Sequence, residues 1–370
     1  MLAVVPARAE ALAKEVLLML PKEPPKSGQV GFLYVPPYRV QGISIAGEQT
    51  CVQVPELDVC FDIGLCPRIA LPTPYIAISH GHMDHIAGLP YYFSQRVFQK
   101  IGVGKAVVPA EIAPAVRSMM AAWAPVEAQR TPHEVIAIEP DEQIEIKNNI
   151  MLRAIEMRHT VPALGYAVVE KRSKLKPEYA EFPQEKLREL RANDVEITRT
   201  LEIPLVAYTG DTEFGPNLFR DEFVNAKVVI TECTFLEEDD ESRADVGKHM
   251  HLQDIVKLLG VWKADAIVLI HLSRRTNMAT SREQLIKIVG EEEAMRVHFL
   301  MDFRANRQRY ERQTIEAEVS AEPPLEFFVK RLRAVDVRDG DHDNLQLQVD
   351  VRIHDYLLGW CCKLSRLLGG

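Results

Sequence analysis

The chain has 370 residues, of which 47% are hydrophobic, a formal net charge of −9 and a sequence pI of about 5.7. This length and apolar content are sufficient for one large α/β domain with an appended segment. The acidic balance argues against generic binding of polyanions, for which a strongly basic domain is expected, although it leaves room for a locally basic groove.

The N-terminal segment predicts a helix followed by a linker. Residues 1–20 are partly apolar, but Arg8, Glu10 and Lys14 interrupt the run, which favours an amphipathic helix over a signal peptide or a membrane span. Residues 21–37 are rich in proline and lysine and are predicted to be a linker. We therefore expect an N-terminal helix and linker (1–37), a main domain (38–303), a C-terminal extension of unknown role (304–370) and no membrane partner.

Short strands separated by glycine or proline turns follow in residues 42–64. The last of them ends at Asp62, directly before Ile63-Gly64. Asp62 is either a turn carboxylate or a group that orients a metal-binding histidine, and its position just upstream of the next motif favours the second interpretation.

Four metal-competent side chains fall within six positions after the buried strand at residues 75–78: His80, His82, Asp84 and His85. His80 and His82 are two residues apart, so in an extended loop their imidazoles project to the same side. Imidazole and carboxylate together suit Zn²⁺ or a similar first-row metal. The pattern HxHxDH therefore predicts a metal site on a strand-to-helix turn.

Further candidates each end an apolar strand, and all could meet at one edge of a two-sheet sandwich. His159 follows the strand at 151–157, and Asp211 follows Gly210 after the run at 205–208. Asp211 has two carboxylate oxygens and could bridge two metals. Glu232 lies two residues after the apolar run at 228–230, and His271 follows the strand at 266–270.

Two histidines near a helix start are ambiguous. His249 and His251 precede a helix predicted to run to about residue 262. They could be helix caps or surface groups, or one of them could be a mobile acid beside a metal pair.

These motifs resemble the short form of the tRNase Z (ribonuclease Z) family within the metallo-β-lactamase superfamily. The resemblance spans roughly residues 40 to 300. It is carried by SHGHMDHIAGLPYY (79–92), HTVPALGYAVVEKRSKLKPEY (159–179), TECTFLEED (231–239), HMHLQDI (249–255) and LIHLSRR (269–275). It implies an α/β fold, the metallo-β-lactamase αββα sandwich, here with a C-terminal extension.

The resemblance also implies roles for single residues. His80, His82 and His159 would hold one Zn²⁺, Asp84, His85 and His271 a second, and Asp211 would bridge them; Mn²⁺ or Fe could replace zinc. His249 would be the general acid, Glu232 the carboxylate that orients it, and Asp84 a catalytic residue as well as a ligand. The expected partners are precursor tRNA and a second copy of the chain.

A basic stretch replaces the long arm that many bacterial relatives use to grip tRNA. Because distant acidic residues are screened beyond about 8 Å at physiological ionic strength, this stretch could contact phosphates beside the zinc cleft. As an alternative, it is an ordinary solvated loop. The candidate RNA contacts are Lys171, Arg172, Lys174 and Lys176.

Three functions are compatible with this pattern. The first is a zinc endoribonuclease that removes the 3′ trailer of precursor tRNA and leaves a 3′-hydroxyl. The second is a hydrolase of a small phosphodiester, thioester or lactone at the same kind of site, since one fold serves many substrates. The third is a non-catalytic RNA-binding or scaffold protein, which the complete ligand set disfavours. The six cysteines form no CxxC pair and predict reduced thiols in the cytoplasm.

Overall fold

The computed structural model describes residues 21–26, 29–237 and 240–321. The predicted N-terminal helix at 1–20 and residues 322–370 of the predicted C-terminal extension lie outside the described residues. Within the described part of the chain, no helix combines the length and the apolar character needed to cross a membrane.

The first half of the chain forms a seven-stranded sheet in sequential order. The first four strands pair antiparallel, and the fourth to seventh pair parallel. Its strands are β1 (Gly31–Val35), β2 (Tyr38–Ile45), β3 (Gln49–Val54), β4 (Val59–Phe61), β5 (Tyr75–Ala77), β6 (Gly104–Pro109) and β7 (His133–Ile138). The prediction that residues 31–35 belong to a linker is wrong: flanking prolines suggested a linker, whereas the five residues between them are all buried and pair with β2.

The second half forms another seven-stranded sheet, in the order β14-β13-β12-β11-β10-β9-β8. Four strands are parallel and the remainder antiparallel. Its strands are β8 (Gln143–Lys147), β9 (Ile150–Met157), β10 (Ala163–Leu175), β11 (Thr198–Tyr208), β12 (Val228–Glu232), β13 (Ala266–Ile270) and β14 (Val297–Phe299).

The inner faces of the two sheets pack against each other, and helices cover both outer faces. Strand β13 shows why: Ala266, Val268 and Ile270 face the inter-sheet core, while Ile267 and Leu269 face the helices. A strand buried on both faces is continuously apolar, as this one is. The helices are α1 (Met83–Ile86), α2 (Leu89–Phe98), α3 (Ala113–Glu127), α4 (Gln184–Ala192), α5 (Asp221–Val224), α6 (Glu241–Gly247), α7 (Leu252–Leu259), α8 (Met278–Ala294) and α9 (Phe303–Ala321). The predicted αββα sandwich is confirmed.

The chain divides into two compact units. One comprises residues 24–303, and the other comprises residues 1–23 with 304–370. The larger unit begins before the predicted residue 38 because β1 belongs to its sheet. In the smaller unit, the Tyr310 hydroxyl on α9 donates a hydrogen bond to the Pro21 carbonyl at 3.4 Å.

Candidate active site

The candidate residues meet at one edge of the sandwich because each lies at or beyond the carboxyl end of a strand. Strands β11, β12 and β13 are parallel, and β9 runs in the same direction as β11 because both are antiparallel to β10. Loops after these strands therefore emerge together, as do those after β4 and β5. The residues brought together are Asp62, His80, His82, Asp84, His85, His159, Asp211, Glu232, His249 and His271.

Three imidazoles form one potential ligand group: His80, His82 and His159. His82 Nδ1 lies 2.9 Å from His80 Nε2 and 3.3 Å from His159 Nε2. His159 Nδ1 donates to the Lys248 carbonyl at 3.1 Å, and His80 Nδ1 lies 3.0 Å from Ser79 Oγ. These outer contacts orient the rings of His80 and His159 so that their Nε2 atoms face His82 Nδ1.

A second group consists of Asp84, His85 and His271. The Nε2 atoms of both histidines lie 3.5 Å from Asp84 Oδ2. Asp211 Oδ2 lies 3.2 Å from His85 Nε2, 3.3 Å from His271 Nε2 and 3.9 Å from His80 Nε2. Asp211 thus contacts both groups, as a bridging carboxylate must.

The donors of this site fit metal ions. Within the described residues, His85 Nε2, His271 Nε2 and Asp211 Oδ1 are buried without a hydrogen-bond partner. The nitrogens lie close to carboxylate oxygens, but these contacts do not have hydrogen-bond geometry. Buried polar atoms are rarely left unsatisfied, and imidazole with carboxylate is the donor set preferred by zinc and related metals. A metal pair would satisfy these atoms.

Electrostatics keep Asp211, Asp84 and His80 in metal-binding protonation states. His85 differs: burial would lower its pKa, but Asp211 and Asp62 outweigh it and hold that pKa well above its usual range, so metal binding would have to displace a proton from His85. Burial alone would raise the pKa of Asp211, but His271 and His85 outweigh it and hold that pKa well below its usual range. Burial also opposes ionisation of Asp84, yet the neighbouring imidazoles of His271 and His85 outweigh it and lower its pKa. Burial, reinforced by His85, lowers the pKa of His80 to about 2. The site therefore offers ionised carboxylates and a neutral imidazole at His80.

Asp62 is fully buried and organises the loop that carries the ligands. Its Oδ2 accepts from His85 Nδ1 at 2.7 Å, from the Tyr208 hydroxyl at 2.5 Å and from Ser79 Oγ at 2.7 Å. Its Oδ1 accepts from the Ser79 backbone N–H at 2.6 Å. The sequence did not identify Tyr208, because a tyrosine ending an apolar strand is an ordinary core residue; here its ring stacks on Phe61 at 4.6 Å.

Glu232, Thr234 and His249 form a hydrogen-bonded group beside the ligands. His249 Nδ1 lies 2.8 Å from Glu232 Oε1, and the Thr234 hydroxyl donates to Glu232 Oε2 at 2.6 Å. Thr234 Oγ1 also lies 2.9 Å from His271 Nδ1. Burial would lower the pKa of His249, but the Glu232 carboxylate outweighs it and raises that pKa to about 9. His249 is thus held protonated at neutral pH, facing the ligand groups.

His251 has a different role. Its Nδ1 accepts from the Gln253 backbone N–H at 3.2 Å, and its Nε2 donates to the Glu237 carbonyl at 2.9 Å. It therefore caps the N-terminus of α7, and both its nitrogens are engaged. Of the two histidines, the structure directs only His249 towards the ligand groups.

Gly64 lies directly against the ligand loop. An added Cβ at this position would lie 1.7 Å from the Asp84 carbonyl oxygen. We expect Gly64→Ala to displace Asp84, to destabilise the protein by on the order of 1–3 kcal/mol and to lower metal retention. Denaturant unfolding and metal analysis would measure both effects. Gly260→Ala is the matched control, since its Cβ would make only an ordinary 3.6 Å contact. Equal stability and metal content in the two variants would contradict this account of Gly64.

Beyond their sheet neighbours, β10 and β11 continue as a two-stranded ribbon, residues 171–175 paired with 198–202. Strand β9 pairs with β10 only as far as Glu170, and β12 pairs with β11 only at Val206–Tyr208. The basic stretch therefore forms part of a projecting ribbon, and α4 lies in the connection at the end of that ribbon. Sequence reasoning missed the ribbon because both its faces meet solvent, so its strands lack apolar alternation.

Three of the four predicted RNA contacts lie on this ribbon and Lys176 directly follows it, away from the metal-binding edge. Ala163 at the start of β10 bridges to His80, whereas the basic residues follow at the far end. A strand rises about 3.3 Å per residue, so Lys171 lies roughly 25 Å along β10 from Ala163. The prediction that this segment lies beside the zinc cleft is wrong. The residues concerned are Lys171, Arg172, Lys174 and Lys176.

Glutamates lie within ion-pair distance of three of the four predicted contacts. Lys171 pairs with Glu202 at 3.9 Å, Arg172 with Glu170 at 2.6 Å, and Lys176 with Glu196 at 3.3 Å. Among the described residues, neither Lys174 nor its cross-strand neighbour Arg199 forms an ion pair. The ribbon is therefore a weaker phosphate track than its basic residues alone suggest.

Comparisons with known proteins find similar sequences and structures. Residues 67–272 match the family model described as a beta-lactamase superfamily domain. The chain is 32% identical to the chloroplastic tRNase Z of Arabidopsis thaliana over 271 residues, 72% of this chain and 77% of the relative. It is 34% identical to a second tRNase Z of that plant over 242 residues, 64% of this chain and 86% of the relative. The crystal structure of human tRNase Z, short form, aligns with 73% of this chain and 95% of its own, with a TM-score of 0.48 and 16% identity.

Proposed function

Because the chain belongs to the tRNase Z family of the beta-lactamase superfamily, we propose that it is an endoribonuclease that cleaves the 3′ trailer from precursor tRNA. The observation that carries the proposal is the combination of two ligand groups, linked by Asp211, with the protonated His249–Glu232 pair. Hydrolysis of an RNA phosphodiester releases an alkoxide-like oxygen, which a positioned acid must protonate.

The proposed cofactor is a pair of zinc ions, with Mn²⁺ or Fe as alternatives. One ion would be held by His80, His82 and His159, the other by Asp84, His85 and His271, with Asp211 shared. When bound, such a pair supplies Lewis-acid polarisation of the phosphate and activation of water.

The chain's own residues supply orientation and the proton. His249 Nε2 would donate a proton to the leaving 3′-oxygen of the tRNA, while Glu232 holds its Nδ1 at 2.8 Å. Asp84 would act as ligand and catalytic residue, with its Oδ2 fixed by the Gly47 backbone N–H at 3.1 Å. The products would be a tRNA 3′-hydroxyl and a trailer with a 5′-phosphate.

A small-ester hydrolase remains the alternative, and the partial pairing of the ribbon's cations together with the net charge of −9 favours it. A substrate comparison separates the two functions. The zinc-loaded protein is incubated with a trailer-bearing precursor tRNA, an aryl phosphodiester, a thioester and a lactone. The proposed function requires the tRNA to have the highest kcat/KM; the aryl phosphodiester, the thioester or the lactone as the preferred substrate would replace it.

The proposed RNA contacts on the ribbon can be tested by charge reversal. We expect Arg172→Glu with Lys174→Glu to weaken precursor tRNA binding several-fold and to reduce its salt dependence, because fewer counterions are released. Titration of labelled tRNA at several salt concentrations measures both effects. Hydrolysis of a small aryl phosphodiester should be unchanged, because the ribbon lies far from the ligands.

Lys257→Glu with Lys263→Glu is a matched charge control on another surface, and it should leave tRNA binding nearly unchanged. Equal weakening by both double variants would mean that net charge matters rather than the ribbon. Equal loss of activity on both substrates would mean that the ribbon supports the fold.

Two further proposals concern assembly and location. Met83 and Tyr91, on α1 and α2 beside the ligand loop, are 75% and 55% exposed. Such exposed apolar residues support a homodimer contact on this face, which sedimentation analysis would detect.

We also propose a cytoplasmic location. Imaging of the tagged protein would test it, since one relative is named chloroplastic.

A further inference from the structure

Lys248 joins helix α6 to His249 through a left-handed turn. Its φ is 52°, and its backbone N–H donates to the Asp245 carbonyl at 3.3 Å, while that of His249 donates to Ala244 at 3.0 Å. Glycine is the usual residue at such a helix end, since a side chain there costs about 1–2 kcal/mol. The turn alone would therefore be better satisfied by glycine than by lysine.

The lysine makes two reciprocal contacts with a metal-ligand candidate that lies far away in sequence. Its backbone carbonyl accepts from His159 Nδ1 at 3.1 Å. Its ammonium Nζ donates to the His159 backbone carbonyl at 3.4 Å. Lys248 thus fixes both the ring and the main chain of His159, and the His159 Nε2 is left to face His80 and His82.

The same turn places the proton donor. His249 follows Lys248 directly, and its ring lies 5.0 Å from that of His159 and 5.2 Å from that of His271, measured between centroids. Its Nδ1 contacts Glu232, as described above. Any shift of the turn would therefore move the His159 ring and the His249 ring together.

We propose that Lys248 is a positioning residue that couples the position of the His159 ring, in the first ligand group, to that of the His249 ring. The hydrogen bond from its ammonium group to the His159 carbonyl completes this link. The ligand part of this proposal stands on geometry alone, whereas the proton-donor part rests on the proposed function. A residue that acts only as a helix cap would affect neither the His159 ligand nor the His249 proton donor.

Three substitutions separate coupling from capping. Lys248→Met keeps the length and backbone cost of the side chain but removes the ammonium group. Lys248→Gly also removes the ammonium group, and in addition it removes the cost of a side chain at positive φ. Lys248→Arg keeps a charged hydrogen-bond donor. Lys263→Met is the control, because Lys263 is a surface lysine that contacts Asn225 at 3.0 Å.

Two readouts are measured for each variant. The first is the rate of zinc loss to a chelator. We expect the Met and Gly variants to lose zinc about tenfold faster, the size typical of changes around a metal ligand. The second is the ratio of precursor tRNA cleavage to aryl phosphodiester hydrolysis at saturating zinc. We expect this ratio to fall about tenfold, because the aryl leaving group needs no proton.

The Arg variant and the Lys263→Met control should remain close to the unchanged protein in both readouts. A Lys248→Gly protein that is more stable, retains zinc and keeps the same substrate ratio would overturn the proposal in favour of capping alone. If the unchanged protein does not cleave tRNA, the proposed function fails, but zinc loss still decides the coupling: faster loss supports it, and unchanged loss refutes it.

Discussion

Replacing Asp211 with asparagine is expected to abolish hydrolysis and to reduce bound metal below two ions per chain. Asp211 Oδ2 contacts His85, His271 and His80 within 3.9 Å, and its Oδ1 is buried without a hydrogen-bond partner among the described residues. Asparagine keeps the shape but loses the charge and one acceptor oxygen. A bound metal pair would supply several kcal/mol of transition-state stabilisation, so a loss of about 10³-fold or more in kcat/KM is expected.

Asp265→Asn provides the control, because Asp265 is an exposed carboxylate that pairs with Lys227 at 3.7 Å. It should keep full activity and metal content. Metal analysis after dialysis against a weak chelator is the direct readout. Two tightly held ions in the Asp211→Asn protein would show that Asp211 does not bridge the two groups.

Replacing His249 with alanine is expected to keep both metals while lowering precursor tRNA cleavage by roughly 10²–10⁴-fold, the usual contribution of a positioned proton donor. The outer hydrogen bonds of His80 and His159 go to Ser79 and to the Lys248 carbonyl, and neither involves the His249 side chain. Glu232→Gln should have a smaller effect in the same direction, because the imidazole then loses the carboxylate that raises its pKa to about 9.

His251→Asn is the matched control for this loop. Asparagine still offers an acceptor to the Gln253 backbone N–H, so the cap on α7 should survive and activity should change little. Loss of metal from the His249→Ala protein would identify His249 as a ligand instead. Full tRNA cleavage by that protein would remove its role as the acid.

The sequence was most informative where a side chain directly follows a buried strand. His80, Asp211 and His271 each end an apolar run, and parallel strands bring their carboxyl ends to one edge. Chain direction and apolar periodicity therefore predicted which residues could meet. They could not predict distances, which depend on how loops fold beyond the strand ends.

Residues that act through other side chains carried no such signal. Thr234 links Glu232 to His271 through one hydroxyl, yet a threonine after a strand is common. Lys248 resembled an ordinary surface lysine, because a left-handed backbone is most often signalled by glycine. The ribbon was missed because solvent on both faces removes the apolar alternation that identifies strands.

The most direct test of the proposed function is analysis of the RNA ends produced from a precursor tRNA with a labelled 3′ trailer. The zinc-loaded protein is predicted to make a single cut at the tRNA–trailer junction, giving a tRNA 3′-hydroxyl and a trailer with a 5′-phosphate. The Asp211→Asn protein should make no cut. An intact precursor in the presence of active aryl phosphodiester hydrolysis, or a 2′,3′-cyclic phosphate end, would contradict the account.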